Sequence, residues 1–173
     1  QKLLGLGIEV DYIIHTDAQK KTAYHFRNSF NQQTPLLFLS TAAPYIARQY
    51  AGPKYLIYQE GFDKAEKMAK EKGENVFETG GSVATTALDV AVQLGAKDCV
   101  FVGLDLAYTN YYAHASNTSD MTVDKSGDFI MVSGVNEEQV PTNGIFLSYI
   151  KWFEEYLKRH KEITVYDATE GGA

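Results

Sequence analysis

Cysteine is almost missing from this 173-residue chain, with Cys99 alone, and proline is scarce at four residues. A lone cysteine builds neither a disulfide framework nor a thiolate metal site, and the plain reading is a reducing, cytoplasmic compartment. No apolar run approaches the roughly 20 residues of a membrane span. Positive charge is short as well: 16 Lys and Arg stand against 22 Asp and Glu, a formal net charge of −6. That balance argues against nucleic acid as a partner, because duplex binding needs a basic face. It leaves nucleotides open, since a helix terminus can hold a phosphate on an acidic protein. Neither a Walker-type lysine motif nor Gly-x-Gly-x-x-Gly occurs, so ATPase and simple dinucleotide readings lack support. The four histidines show no metal-ligand spacing, and no metal site is expected from them. There is no repeat and no low-complexity run. The chain opens at Gln1 without Met or a signal peptide and stops in a Gly-rich turn. It is read as one domain, 1–173, excerpted from a longer protein.

What is present is alternation. Short runs rich in Val, Ile, Leu and Tyr recur at Asp11–His15, Pro35–Ser40, Lys54–Tyr58, Asp98–Val102 and Ile163–Tyr166. Helical patterns fill most gaps, which predicts an α/β fold with a mostly parallel sheet covered on both faces. Thr16-Asp17 is expected to cap a helix carrying Ala23, Phe26 and Phe30, and Pro44 to open a short helix through Tyr50. A third helix runs to Gly73. Gly127–Ser133 and Glu138–Pro141 predict a hairpin, and Thr142 is expected to cap a long helix with Phe146, Tyr149, Ile150, Phe153 and Leu157 on its apolar face. From Ser82 to Leu94 only Thr85, Thr86, Asp89 and Gln93 are polar, so that helix is expected to be largely buried with a narrow polar strip.

Chemistry concentrates around Glu78–Tyr108, which reads as a glycine turn, a helix, a Gly stop, a short apolar strand and a polar cluster. Backbone N–H groups at Gly80, Gly81 and Ser82 lack helical partners and can meet a phosphate; the bland alternative is an ordinary strand-to-helix turn. Gly103-Leu-Asp-Leu-Ala-Tyr108 follows a strand, where open α/β sheets place ligands. Asp105 there either serves a ligand, a catalytic group or a metal, or caps the next turn. Tyr108, Tyr111 and Tyr112 either face a phosphate or a base, or pin the loop to the core. His114, inside the aperiodic stretch Tyr108–Asp120, is the residue type of a general base or acid near neutral pH, though taken alone a surface histidine without a task is the commoner case. His15 ends a strand beside Thr16-Asp17 and so faces the same end of the sheet. Asp17 and Glu170 sit after strands; each is either a ligand contact or part of a turn.

Taken in order, these segments resemble a known family: Ile8-Glu-Val-Asp11 with Thr16-Asp17, Gly80-Gly-Ser-Val83, Gly103-Leu-Asp-Leu-Ala-Tyr108 with His114-Ala115, and Asp167-Ala-Thr-Glu-Gly-Gly172. They are similar to the motility-associated-factor glycosyltransferases, a bacterial and archaeal group also described as 6-hydroxymethylpterin pyrophosphokinase-like. The resemblance implies a Rossmann-like three-layer sandwich with a small hairpin insertion, similar to that of small bacterial sialyltransferases. By that likeness Gly80, Gly81 and Ser82 face the nucleotide, Asp105 and Tyr108 line phosphate and sugar, and His114 is the base. Family members usually begin with a further strand and a Gly-rich, Pro-Ser-containing turn, which this chain lacks. The implied reaction moves a nonulosonic acid, sialic or pseudaminic in type, from a CMP-sugar to a hydroxyl of an acceptor such as flagellin, with no cofactor required. One alternative is pyrophosphoryl transfer from ATP to a hydroxymethylpterin, with magnesium on Asp105, Asp17 or Glu170. Another is a non-catalytic nucleotide-binding module.

Overall fold

Each of the five apolar runs forms a strand, and helices lie between most of them. The computed structural model describes residues 2–108, 128–135, 138–169 and 171–173. Contacts divide the chain into two compact units, Gln1–Asp89 and Val90–Ala173.

The first unit opens with a single helical turn, α1 (Lys2–Gly5), and is built on a sheet of β1 (Ile13–His15), β2 (Leu36–Leu39), β3 (Lys54–Gln59) and β4 (Val76–Phe77). The strands lie in that order and every pairing is parallel. Leu36-Leu-Phe-Leu39 is apolar throughout and largely buried, as a strand covered on both faces requires. A 3-10 helix (Lys20–Phe26), α2 (Pro44–Gln49) and α3 (Asp63–Lys72) connect the strands, and α4 (Val83–Gln93) follows β4. Phe26, Leu36, Ile46 and Tyr50 form one core cluster; Tyr58, Ala65 and Ala69 form another beneath α3. Gly73 ends α3 at φ +69°, its N–H closing on Ala69 and Lys70 carbonyls.

In the second unit β5 (Asp98–Phe101) pairs in parallel with β8 (Thr164–Asp167), and β6 (Ile130–Ser133) forms an antiparallel hairpin with β7 (Gln139–Thr142). The long helix α5 (Gly144–Arg159) sets Phe153 edge-on to Phe101 of β5, ring centres 5.3 Å apart. The fold is thus α/β and Rossmann-like, with mostly parallel pairing and a small hairpin, as the sequence predicts. No helix among the described residues is long and apolar enough to cross a membrane.

Three local expectations fail for identifiable reasons. Asp17 caps no helix: its Oδ1 accepts from Gln19 N at 2.6 Å, and the segment beyond it coils as a 3-10 helix. An aspartate bonding two residues ahead offers the backbone a turn instead of a helix start. The cap of α5 is Asn143, which accepts from Phe146 N at 2.8 Å, because Thr142 is still paired in β7. The expected buried and polar faces of α4 are not kept: of its four polar residues Thr85, Thr86 and Asp89 are buried and Gln93 is exposed, whereas the apolar Val83 and Leu94 are exposed. β4 has only two residues, too few to show a period.

Leu36 is fully buried in the first core cluster. Leu36→Ala should cost about 2–5 kcal/mol, read as a lower urea midpoint at unchanged slope.

Candidate functional site

The start of α4 is held by side chains of its own first turn. Thr85 Oγ1 accepts from Gly80 N at 2.9 Å and from Ser82 N at 3.3 Å, and donates to Ser82 O at 2.6 Å. Ser82 Oγ accepts from Ala84 N at 3.1 Å. One turn further on, Asp89 Oδ2 accepts from Glu78 N at 2.9 Å. Burying Thr85 and Asp89 therefore lets α4 grip the segment Glu78–Ser82 that leads into it. Two of the three amides expected to meet a phosphate, those of Gly80 and Ser82, are engaged by a hydroxyl. Gly81 adopts φ +91°, a conformation that suits glycine.

A cavity of about 520 Å³ opens at the carboxyl end of β1. Asp17 and Gly81 both line it, so the structure brings these two predicted residues to one place. Ile14, Phe26 and Val83 supply apolar wall; Thr16, Thr22 and His25 add polar groups. His15 lines it too, only 5 % exposed, with its ring edge-on to Phe26 at 5.4 Å. Its Nε2 has no hydrogen-bond partner, the one buried side-chain nitrogen or oxygen among the described residues in that condition. Burial holds the imidazole below its ordinary pKa, and the Asp17 charge opposes this in part.

In the second unit the turn after β5 is tightly constrained. Gly103 takes φ +71° and Leu106 φ +46°, the latter a strained conformation for a branched side chain. Thr142 Oγ1 donates to Leu106 O at 2.7 Å, Tyr108 N to Pro141 O at 2.8 Å, and Leu104 N to Thr169 Oγ1 at 3.1 Å. Ala173 N donates to Asp105 O at 2.8 Å, and a Cβ on Gly172 would stand 2.2 Å from that same oxygen. Asp105 is half-buried; desolvation, and then the nearby charge of Asp167, raise its pKa above the usual carboxylate value. Tyr108 is buried against Phe129 and Phe146, and its hydroxyl accepts from Asn143 Nδ2. This tyrosine pins its loop to the core.

His114, Tyr111, Tyr112 and Glu170 lie outside the described residues. The sequence reading gives Thr85 and Asp89 only as members of a narrow polar strip, without a role, assigns His25 no chemistry and does not single out Asp167. The signal for the first two was their i, i+4 spacing on an otherwise apolar helix beside a Gly-Gly turn. His15 was placed at the ligand end of the sheet, but its burial was not legible.

A parallel α/β sheet with a cavity beyond a strand end and a clamped glycine turn opening a helix defines a Rossmann-like α/β domain. The profile of the MptE-like family, described as 6-hydroxymethylpterin diphosphokinase MptE-like, matches residues 1–111. The chain belongs to that family. No curated protein and no solved structure matches it.

Thr85→Val keeps the shape of the side chain but strands the amides of Gly80 and Ser82. It should lower stability by about 1–3 kcal/mol in urea unfolding, with faster hydrogen exchange at those two amides. For Asp105, a raised folded pKa means that the folded state holds the extra proton between the ordinary 3.8 and the raised value. Stability then falls as pH rises through that window, and the loss persists at neutrality. Asp105→Asn should therefore raise Tm at pH about 7 and leave it unchanged at pH about 3, measured by calorimetry.

Proposed function

We propose that the domain is a cytoplasmic transferase using a nucleotide-bearing donor, and that it moves a nonulosonic acid from CMP to a hydroxyl acceptor, a surface protein such as flagellin among the candidates. The observation that carries the nucleotide part is the cavity at the end of β1, which Asp17 and Gly81 share. Ligands of open α/β sheets sit beyond strand carboxyl ends. The glycosyl part draws on the ordered motifs from Thr16-Asp17 through Gly80-Gly-Ser82 to Gly103–Tyr108 and His114. In this reading Asp17 accepts sugar hydroxyls and the opening of α4 faces the phosphate, with Gly81 at the cavity wall. The resemblance assigns His114 the removal of the acceptor proton and counts Asp105 among the catalytic residues. Loss of CMP from such a donor needs charge stabilisation more than a covalent nucleophile, so the scheme requires no enzyme-bound intermediate.

A second reading, diphosphoryl transfer to a hydroxymethylpterin, is favoured by the family description over residues 1–111. It would use a magnesium ion, which shields phosphate charge when bound. That ion commonly takes one or two carboxylates and completes its shell with substrate phosphate and water. Asp105 and Asp167 fit that donor chemistry: their charges interact, Asp105 belongs to the turn after β5, and Asp167 is the last residue of its parallel partner β8.

Thermal-shift measurements on the full-length protein separate the two. CMP without metal, at about a hundredfold excess over Kd, should raise Tm by roughly 5–10 °C. Stabilisation by ATP with magnesium alone would move the assignment to the diphosphokinase, and silence toward both would remove the nucleotide reading.

A further inference from the structure

We infer that the cavity at the end of β1 receives the uncharged nucleoside portion of the donor, and that His15 is its recognition residue, with Nε2 hydrogen-bonding one polar atom of the sugar or base. This rests on the nucleotide reading above and makes it specific.

Three observations on the cavity converge. Its volume of about 520 Å³ falls within the span of small-molecule sites, roughly 300–1,000 Å³. Among the described residues its wall carries the Asp17 carboxylate and no lysine or arginine, so it suits hydroxyls and ring edges better than a phosphate. Apolar surface from Ile14, Phe26 and Val83 gives a planar ring something to lie against.

The histidine supplies the polar partner. A buried nitrogen without a hydrogen bond is costly, and native proteins retain few of them, commonly where function requires it. His15 Nε2 is such a nitrogen, on a side chain 5 % exposed that lines the cavity. Desolvation shifts its ring toward the uncharged form, in which Nε2 is one donor or one acceptor rather than part of a cation for a phosphate. Asp17 Oδ1 already accepts from Gln19 N, which orients the carboxylate and leaves further lone pairs for hydroxyls.

The test is titration calorimetry on the full-length protein with cytidine, adenosine, CMP and inorganic phosphate, for wild type and His15→Phe. Phenylalanine keeps an aromatic ring for the Phe26 contact and removes both nitrogens. The substitution should weaken cytidine and CMP by roughly tenfold or more, leave phosphate binding unchanged, and not lower the ligand-free Tm. Adenosine showing the same dependence on His15 would support the inference and shift the donor toward ATP. Equal nucleoside affinity in both proteins would overturn the inference and leave the nucleotide reading standing; failure of CMP and ATP to bind wild type would remove both. Should His15→Phe not fold, imidazole ¹⁵N spectra of the wild type decide. Saturating cytidine must move the Nε2 resonance, and a resonance that stays in place sinks the idea, as it would if a resident water were the true partner.

Discussion

The hydroxyl of Thr85 is the interaction on which the glycine turn depends. It takes hydrogen bonds from two successive non-helical stretches of backbone, at Gly80 and Ser82, and returns one to Ser82 O. A turn containing two glycines has much conformational freedom to lose on folding, and nothing in Gly-Gly-Ser alone would fix it. Thr85 and Asp89 fix it from inside the helix. Their burial follows directly: each must reach back over the turn N-terminal to its own position, the direction in which helical side chains project. The exposure of Val83 at the other side of the first turn is the counterpart of that choice.

The same arrangement bears on how an anion would meet this helix. A helix start is usually read as a row of unpaired amides, yet here side-chain oxygens occupy part of that row. The dipole of α4 remains and Gly81 lines the cavity, but the site is less a bare amide nest than a shaped rim. In the proposed function recognition would then fall more heavily on the cavity behind it, which Asp17 and His15 line. In the second unit the constraint is of another kind. The positive φ of Leu106 and the close approach of Gly172 to Asp105 fix a turn through backbone geometry, with Thr142 and Thr169 as the ties.

How much of this was legible depended on whether a residue announced itself locally. Strands of three to six residues with apolar side chains on both faces, such as Leu36–Leu39, were plain, and so was the hairpin around Gly134. Family membership was legible because separated motifs kept their order. Burial was not. Nothing in Val-Ala-Thr-Thr-Ala-Leu-Asp says that the polar residues face inward, since a polar strip on an apolar helix ordinarily faces water. The choice between Thr142 and Asn143 as a cap turned on how far β7 extends, which is a tertiary matter. His15 beside Asp17 suggested the ligand end of a sheet, but that its Nε2 lacks a partner depends on Phe26, eleven residues on, closing over it.

The lowered proton affinity of His15 has a thermodynamic corollary. An imidazole that burial shifts toward its uncharged form has less charge to shed than an exposed histidine when a molecule arrives beside it. Association at that position would therefore exchange fewer protons with the buffer than at a site where a charged histidine must first be discharged to accept its guest.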